Sequence, residues 1–118
     1  MYRDIFKEEH NILRKSLKKF VEAEIVPHVD QWEEEMAIHR SLFKKMGEMG
    51  YLGIRHPKEY GGSEADIFMT LVLAEEFARC RSGGVMAVVT LHTDMASPHL
   101  VREGNAEQKE NYLPQIIR

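Results

Sequence analysis

Gly104-Asn105-Ala106-Glu107-Gln108-Lys109, running into Tyr112-Leu113-Pro114, decides the fold of this 118-residue chain. Gly104 is a helix terminator. Asn105 with Gln108 three residues on is the capping-box pattern, in which each side chain takes the other residue's amide and two orphan donors are satisfied together. One helix therefore ends and another begins within two residues, as happens where a chain packs helix against helix.

The pattern extends outward in both directions. The last helix starts at Ala106, and Pro114 should disturb its end. Upstream, Val85 to Leu91 is strongly apolar and Ser82 is a suitable cap, so a fourth helix is predicted from there toward Arg102, buried on most sides. Pro98 should bend it or end it early. Gly83-Gly84 and Gly61-Gly62 read as turns that need positive φ. A third helix is predicted from Ala65 to Arg79, capped by Ser63 or Asp66, with Phe68, Leu71, Val72, Glu75 and Ala78 dividing a buried face from a wet one. Tyr51-Leu52-Gly53-Ile54 is extended or turning. A short second helix covers Ser41 to Met49, with Leu42, Phe43 and Met46 as its stripe and Gly50 as its stop. The first helix is long, carrying Phe6, Leu13, Leu17, Phe20 and Val21 near helical spacing. Pro27 should break it near Glu24 to Val26, and helix resumes briefly around Trp32. Val85-Met86-Ala87-Val88-Val89 is the one β-branched run, and its flanks favour helix. The chain is therefore predicted to be all-α, a single domain over residues 1–118 with five or six helices in an orthogonal or up-down bundle.

The net charge of −3, with Lys15-Ser16-Leu17-Lys18-Lys19 answered by Glu33-Glu34-Glu35, gives no basic footprint for nucleic acid and no polybasic membrane signal. No apolar run approaches the roughly 18 residues of a membrane helix. Met1-Tyr2-Arg3-Asp4 lacks a signal peptide's apolar stretch, and Glu8, Glu9, Glu22 and Glu24 come too early for a transit peptide, so a cytoplasmic location is expected. Cys80 is the single cysteine; it excludes an internal disulfide, has no recognisable histidine partner, and is expected to be a buried, inert thiol.

No motif singles out chemistry within the chain. A di-iron bundle needs Glu-x-x-His on two helices, whereas Glu24 to His28 and Glu35 to His39 are each one residue too long. There is no His-Glu-x-x-His, no cysteine pair, no phosphate-binding glycine loop and no Gly-x-Ser-x-Gly elbow. No metal site is expected, and most of the six histidines read as surface or capping residues.

Several segments, in order and at matching spacing, resemble one family. They are Glu8-Glu9-His10 through Phe20, Glu24-Ile25-Val26-Pro27-His28, Trp32, and Met46-Gly47-Glu48-Met49-Gly50-Tyr51-Leu52-Gly53-Ile54. Then come Pro57-Lys58-Glu59-Tyr60-Gly61-Gly62, Ala74-Glu75-Glu76-Phe77-Ala78-Arg79, His92, and Gly104 to Pro114. Together they resemble the N-terminal helical domain of flavin-dependent acyl-CoA dehydrogenases. The resemblance implies a parent enzyme that removes the α proton of an acyl-CoA thioester with a carboxylate while hydride passes to FAD. It also implies that the catalytic base and the principal flavin contacts lie beyond position 118, in a middle β domain and a C-terminal helical domain. On that expectation the chain is one piece of a larger enzyme. It would be inert alone and not expected to bind FAD by itself. Its partners would be acyl-CoA, the remaining domains and further copies of the same protein.

By motif position the resemblance also implies that Met86, Ala87, Thr90 and Asp94 face the acyl chain. Their spacing is that of one helical stripe, which patterning alone reads equally well as core. Asp94 departs from the apolar residue expected against a fatty tail, because a carboxylate is costly in a dry pocket. Surfaces that meet other domains should be exposed, with Val85, Val89 and Leu91 as candidates. Two other functions fit the same sequence: a free-standing helical module for acyl-CoA or another apolar ligand, and a scaffold acting through protein contacts.

Overall fold

The computed structural model describes residues 5–118; Met1 to Asp4, on which the reading of a leader rested, lie outside them. Helix α1 spans Glu8–Glu24, α2 Val29–Glu35, α3 Arg40–Glu48, α4 Ile67–Ala78, α5 Gly83–Thr90, α6 Ser97–Glu103 and α7 Ala106–Ile117. A 3-10 turn, Val26–His28, joins α1 to α2, and a π-helical segment, Leu91–Ala96, joins α5 to α6 without a break. With α1–α2 and α5–α6 each counted once, the described residues form five rods, matching the predicted all-α bundle of five or six helices. The lobe measures 41 × 40 × 20 Å, a slab about two helices thick given a helix diameter of roughly 10 Å.

Helix α1 lies against α4 in the most extensive packing between elements. Leu17, Phe20 and Val21 from α1 meet a core completed by Val72, Leu73 and Phe77 from α4, Leu42 and Met46 from α3, and Val85 and Val89 from α5. Phe6 and Leu13 pack at its margin, as the spacing predicts. The buried face of α4 runs through Val72, Leu73, Glu76 and Phe77, while Phe68 and Ala78 are exposed. An acid therefore stands on an apolar face. Arg14 accounts for it: its guanidinium lies 3.1 Å from Glu76 and 2.7 Å from Glu75, and sits over the Phe6 ring.

A second polar clamp closes the other end of the same seam. His10 is buried; its Nδ1 accepts the Lys7 amide at 2.8 Å, so Nε2 carries the proton and donates to the Asp66 carboxylate at 2.9 Å. Asp66 in turn caps α4 by accepting the Met69 amide at 3.0 Å. One histidine thus serves the start of α1 and one aspartate the start of α4. The His10 bond, and the Met69 amide to a lesser degree, hold the Asp66 carboxyl below its ordinary value.

The punctuation residues act in ways the sequence did not distinguish. The chain breaks at Pro27 as expected, within the 3-10 turn. Gly61 has φ 101°, but the reason for Gly62 is proximity, since a Cβ there would lie 2.1 Å from the His56 carbonyl oxygen. Gly104 ends α6 in extended backbone, φ −71° and ψ 147°, where a Cβ would meet the Leu100 oxygen at 2.5 Å. Gly83 and Gly84 are the first residues of α5 and need no positive φ. Pro114 lies inside α7, which continues to Ile117. The predicted Asn105–Gln108 capping box is present, with reciprocal bonds of 2.8 and 3.0 Å.

Arg14→Ala leaves the Glu76 carboxylate buried without its main cation, and should lower unfolding free energy by about 3 kcal/mol. Arg14→Met combined with Glu76→Leu should recover most of that loss in urea denaturation. A double variant as unstable as Arg14→Ala would show that the pair is not the reason.

Candidate functional site

The rod α5–α6 carries the candidate site, and its N-terminal end is tied down locally. The Ser82 hydroxyl accepts the Val85 amide at 3.2 Å and donates to the Glu33 carboxylate, so it caps α5 and pins it to α2. Cys80 is buried, its thiol donating to the Ser82 carbonyl at 3.3 Å. Val85 and Val89, expected on an exposed surface, are 1% and 0% exposed and face the core. Leu91, expected there too, is exposed, and it forms the apolar stripe with Val88 and Met95. The spacing of 85 and 89 and that of 88, 91 and 95 are both helical, so patterning could not choose between the two faces.

Pro98 neither bends the rod away nor ends it. It lacks the amide that would bond the Asp94 carbonyl, and the ladder upstream widens into a π turn. The Ser97 amide reaches back to the His92 carbonyl, and the Ser97 hydroxyl donates to the same oxygen at 2.6 Å. With that proton committed, the serine oxygen accepts from His56 Nε2 at 2.8 Å. His56 is buried and comes from the loop before α4. Burial is the main cause that holds His56 below its ordinary value, with His92 and Arg55 adding to it. His92 Nε2 donates to the Ile116 carbonyl at 2.9 Å, fixing α7 against the π turn.

Met86, Thr90 and Asp94 are half-buried along one side of this rod, and Met86 packs on the core. Ala87 lies on the exposed side. The Thr90 hydroxyl turns back on its own helix, to the Met86 carbonyl at 2.9 Å and the Ala87 carbonyl at 3.3 Å. Asp94 Oδ2 lies 3.0 Å from the Thr93 hydroxyl, which also reaches the Val89 carbonyl. Burial pushes the Asp94 carboxyl up, against the opposing pull of Thr93 and Arg55. Asp94 opens on a cavity of about 260 Å³ shared with Arg55, His56, Thr93, Pro98, Val101 and Arg102. Sequence reading missed Arg55, His56 and Arg102. They come from a loop and from the last turn of α6, and no spacing relates them. A shallower apolar groove of about 410 Å³ runs beside α5 between Trp32, Met36, Ile38, Phe43, Val85 and Val88.

The only cluster of metal-type ligands among the described residues is Glu9, His10 and Asp66, whose ligand atoms fall within 4.8 Å of one another. Both His10 nitrogens are already in use there, one on an amide and one on a carboxylate. The arrangement is a helix cap and a clamp.

This architecture is shared with known enzymes. Residues 7–118 match the family described as "Acyl-CoA dehydrogenase, N-terminal domain". The rat long-chain specific acyl-CoA dehydrogenase, mitochondrial, is 35% identical over 116 residues, covering 97% of this chain and 26% of the rat protein. The crystal structure of an acyl-CoA dehydrogenase from Geobacillus kaustophilus superposes with a TM-score of 0.90 at 35% identity, over 96% of this chain and 29% of that one. An acyl-CoA dehydrogenase from Bacillus anthracis, solved in complex with FAD, gives a TM-score of 0.86 at 33% identity over 97% of this chain and 19% of that one. The fold is thus the all-α lobe of an oxidoreductase family. The chain belongs to the acyl-CoA dehydrogenases and corresponds to their N-terminal domain. It spans about a quarter of the length of the rat relative.

His56 supplies a pH signature. Its folded value is depressed, so the unfolded chain binds the extra proton first. Stability should be complete above the ordinary value of 6.5 and fall as pH drops below it. His56→Gln, which can still donate to Ser97, should flatten that limb in pH-resolved urea melts. An unaltered limb would assign it to another group.

Proposed function

We propose that this chain forms one wall of the site at which a larger flavoprotein dehydrogenates acyl-CoA thioesters between their α and β carbons. One observation carries the reading. Met86, Thr90 and Asp94 make a half-buried stripe along a rod whose core side, Val85 and Val89, is sealed. The Thr90 proton is spent on helix carbonyls, so this residue can border an apolar chain without leaving a donor unpaired. Ala87 stands at the exposed edge of the same wall, where a small side chain leaves room for the substrate.

FAD, on this reading, is held by the other domains. Every buried side-chain polar atom among the described residues already has a partner, so the lobe offers no orphaned donors to an isoalloxazine. The residues described do not by themselves fit the cofactor, and their part is to hold the acyl chain and keep water from it. The exposed Val88, Leu91 and Met95 support contact with the remaining domains and assembly into a homo-oligomer. No helix among the described residues is long and apolar enough to cross a membrane. The single buried thiol supports a reducing, cytoplasmic location.

The gene product at its natural length should purify yellow and lose its oxidised-flavin absorbance when acyl-CoA is added without oxygen. Colourless protein that leaves acyl-CoA untouched would defeat the enzyme reading. The 118-residue chain alone should bind no flavin and turn over nothing, and a flavin spectrum from it would overturn the division of labour between domains. In solution scattering the isolated chain should associate as its concentration rises; a strict monomer throughout would contradict a sticky exposed face.

A further inference from the structure

The candidate wall ends in a place unsuited to a plain hydrocarbon. Asp94 occupies its last position and opens on the cavity of about 260 Å³ between the Arg55-His56 loop and α6. Two guanidinium-bearing side chains, Arg55 and Arg102, line that cavity, and neither belongs to an ion pair among the described residues. Asp94 is the one carboxyl that opens on the cavity, and it is half-buried with its Oδ2 3.0 Å from the Thr93 hydroxyl. Two guanidinium groups thus face one carboxyl across the cavity, and cations outnumber it. Pro98 and Val101 add an apolar flank. The space suits a compact anion carried on a few methylenes and is too small for the nucleotide end of coenzyme A.

Resting on the reading given under Proposed function, we propose that this cavity receives the far end of the acyl group and that this end is a carboxylate, held by Arg55 and Arg102. The substrate class is then the coenzyme A thioesters of dicarboxylic acids. Guanidinium matches carboxylate in shape and charge, and a charge-assisted pair is stronger than a neutral hydrogen bond. A plain acyl chain of equal length would leave two cations and a carboxyl facing methyl groups, a mismatch against which such polar sites discriminate strongly.

The test uses the natural-length gene product and three thioesters of equal chain length: adipoyl-CoA, hexanoyl-CoA and 6-aminohexanoyl-CoA. Adipoyl-CoA should lead hexanoyl-CoA in kcat/KM and, by calorimetry, in binding, each on the order of tenfold. Arg55→Gln with Arg102→Gln should lower the adipoyl-to-hexanoyl ratio by about the same factor in both measurements. The ranking of substrates by the unmodified protein needs no variant to fold. Turnover of hexanoyl-CoA with no preference for adipoyl-CoA overturns the inference and leaves the dehydrogenase reading standing. A lead for 6-aminohexanoyl-CoA overturns it too, by making Asp94 the partner of a cation. If the double variant weakens free coenzyme A as much as adipoyl-CoA, the arginines serve a phosphate and the inference is overturned. If no thioester binds or reacts, the dehydrogenase reading fails and this inference falls with it.

Discussion

Glu76 stands on the core face of α4 with 2% of its surface exposed, and Arg14 of α1 is what makes that position tolerable. An uncompensated buried carboxylate costs several kcal/mol, so α4 can lie on α1 only in the register that brings the guanidinium to it. The apolar seam of Leu17, Phe20 and Val21 against Val72, Leu73 and Phe77 provides most of the attraction. It is permissive about register, whereas the ion pair and the His10–Asp66 bond are not. Two polar clamps thus fix the platform, and the remaining helices are laid on it.

What the platform positions is the rod α5–α6. Its entry is set by Ser82, which caps α5 while bonding Glu33, and its middle by a π turn that three histidine and serine contacts lock in place. The π turn turns a break in the amide ladder into a bonding opportunity. The His92 carbonyl takes two donors from Ser97, and Ser97 then holds His56 from a distant loop. Irregular helical turns of this kind recur at functional sites because they aim side chains that a regular helix would point elsewhere. Here the neighbouring Asp94 opens on a cavity that Arg55 and His56, from a distant loop, close against Thr93 and Arg102 of the rod.

A slab 20 Å thick cannot hide both sides of every helix. The apolar residues it leaves in solvent include Val88, Leu91 and Met95 on α5 and the π turn and Met36 beside the groove, with Ile12 on α1 and Ile67 on α4 exposed elsewhere. The rod α5–α6 is the same one that borders the proposed acyl wall. One element therefore presents a core flank, the flank proposed to border substrate and an exposed apolar flank, and this explains its apolar composition better than burial on most sides would.

The sequence alone determined the helical class, the position of each helix to within a few residues, and the family. Caps and breakers act through neighbours in the chain, so Asn105–Gln108, Ser82, Asp66, Pro27 and Gly50 are readable without a fold. Tertiary structure decided which of two equally helical stripes on α5 faced inward, placing Val85 and Val89 in the core and leaving Val88 and Leu91 outside. It decided that Gly62 and Gly104 are required by crowding from His56 and Leu100 rather than by positive φ. It also decided that Pro98 produces a π turn instead of an end. Arg14 with Glu76, His56 with Ser97, and Arg55 with Arg102 and Asp94 are brought together across dozens of residues. A contact of that kind depends on how rigid helices dock, and local sequence carries no record of it.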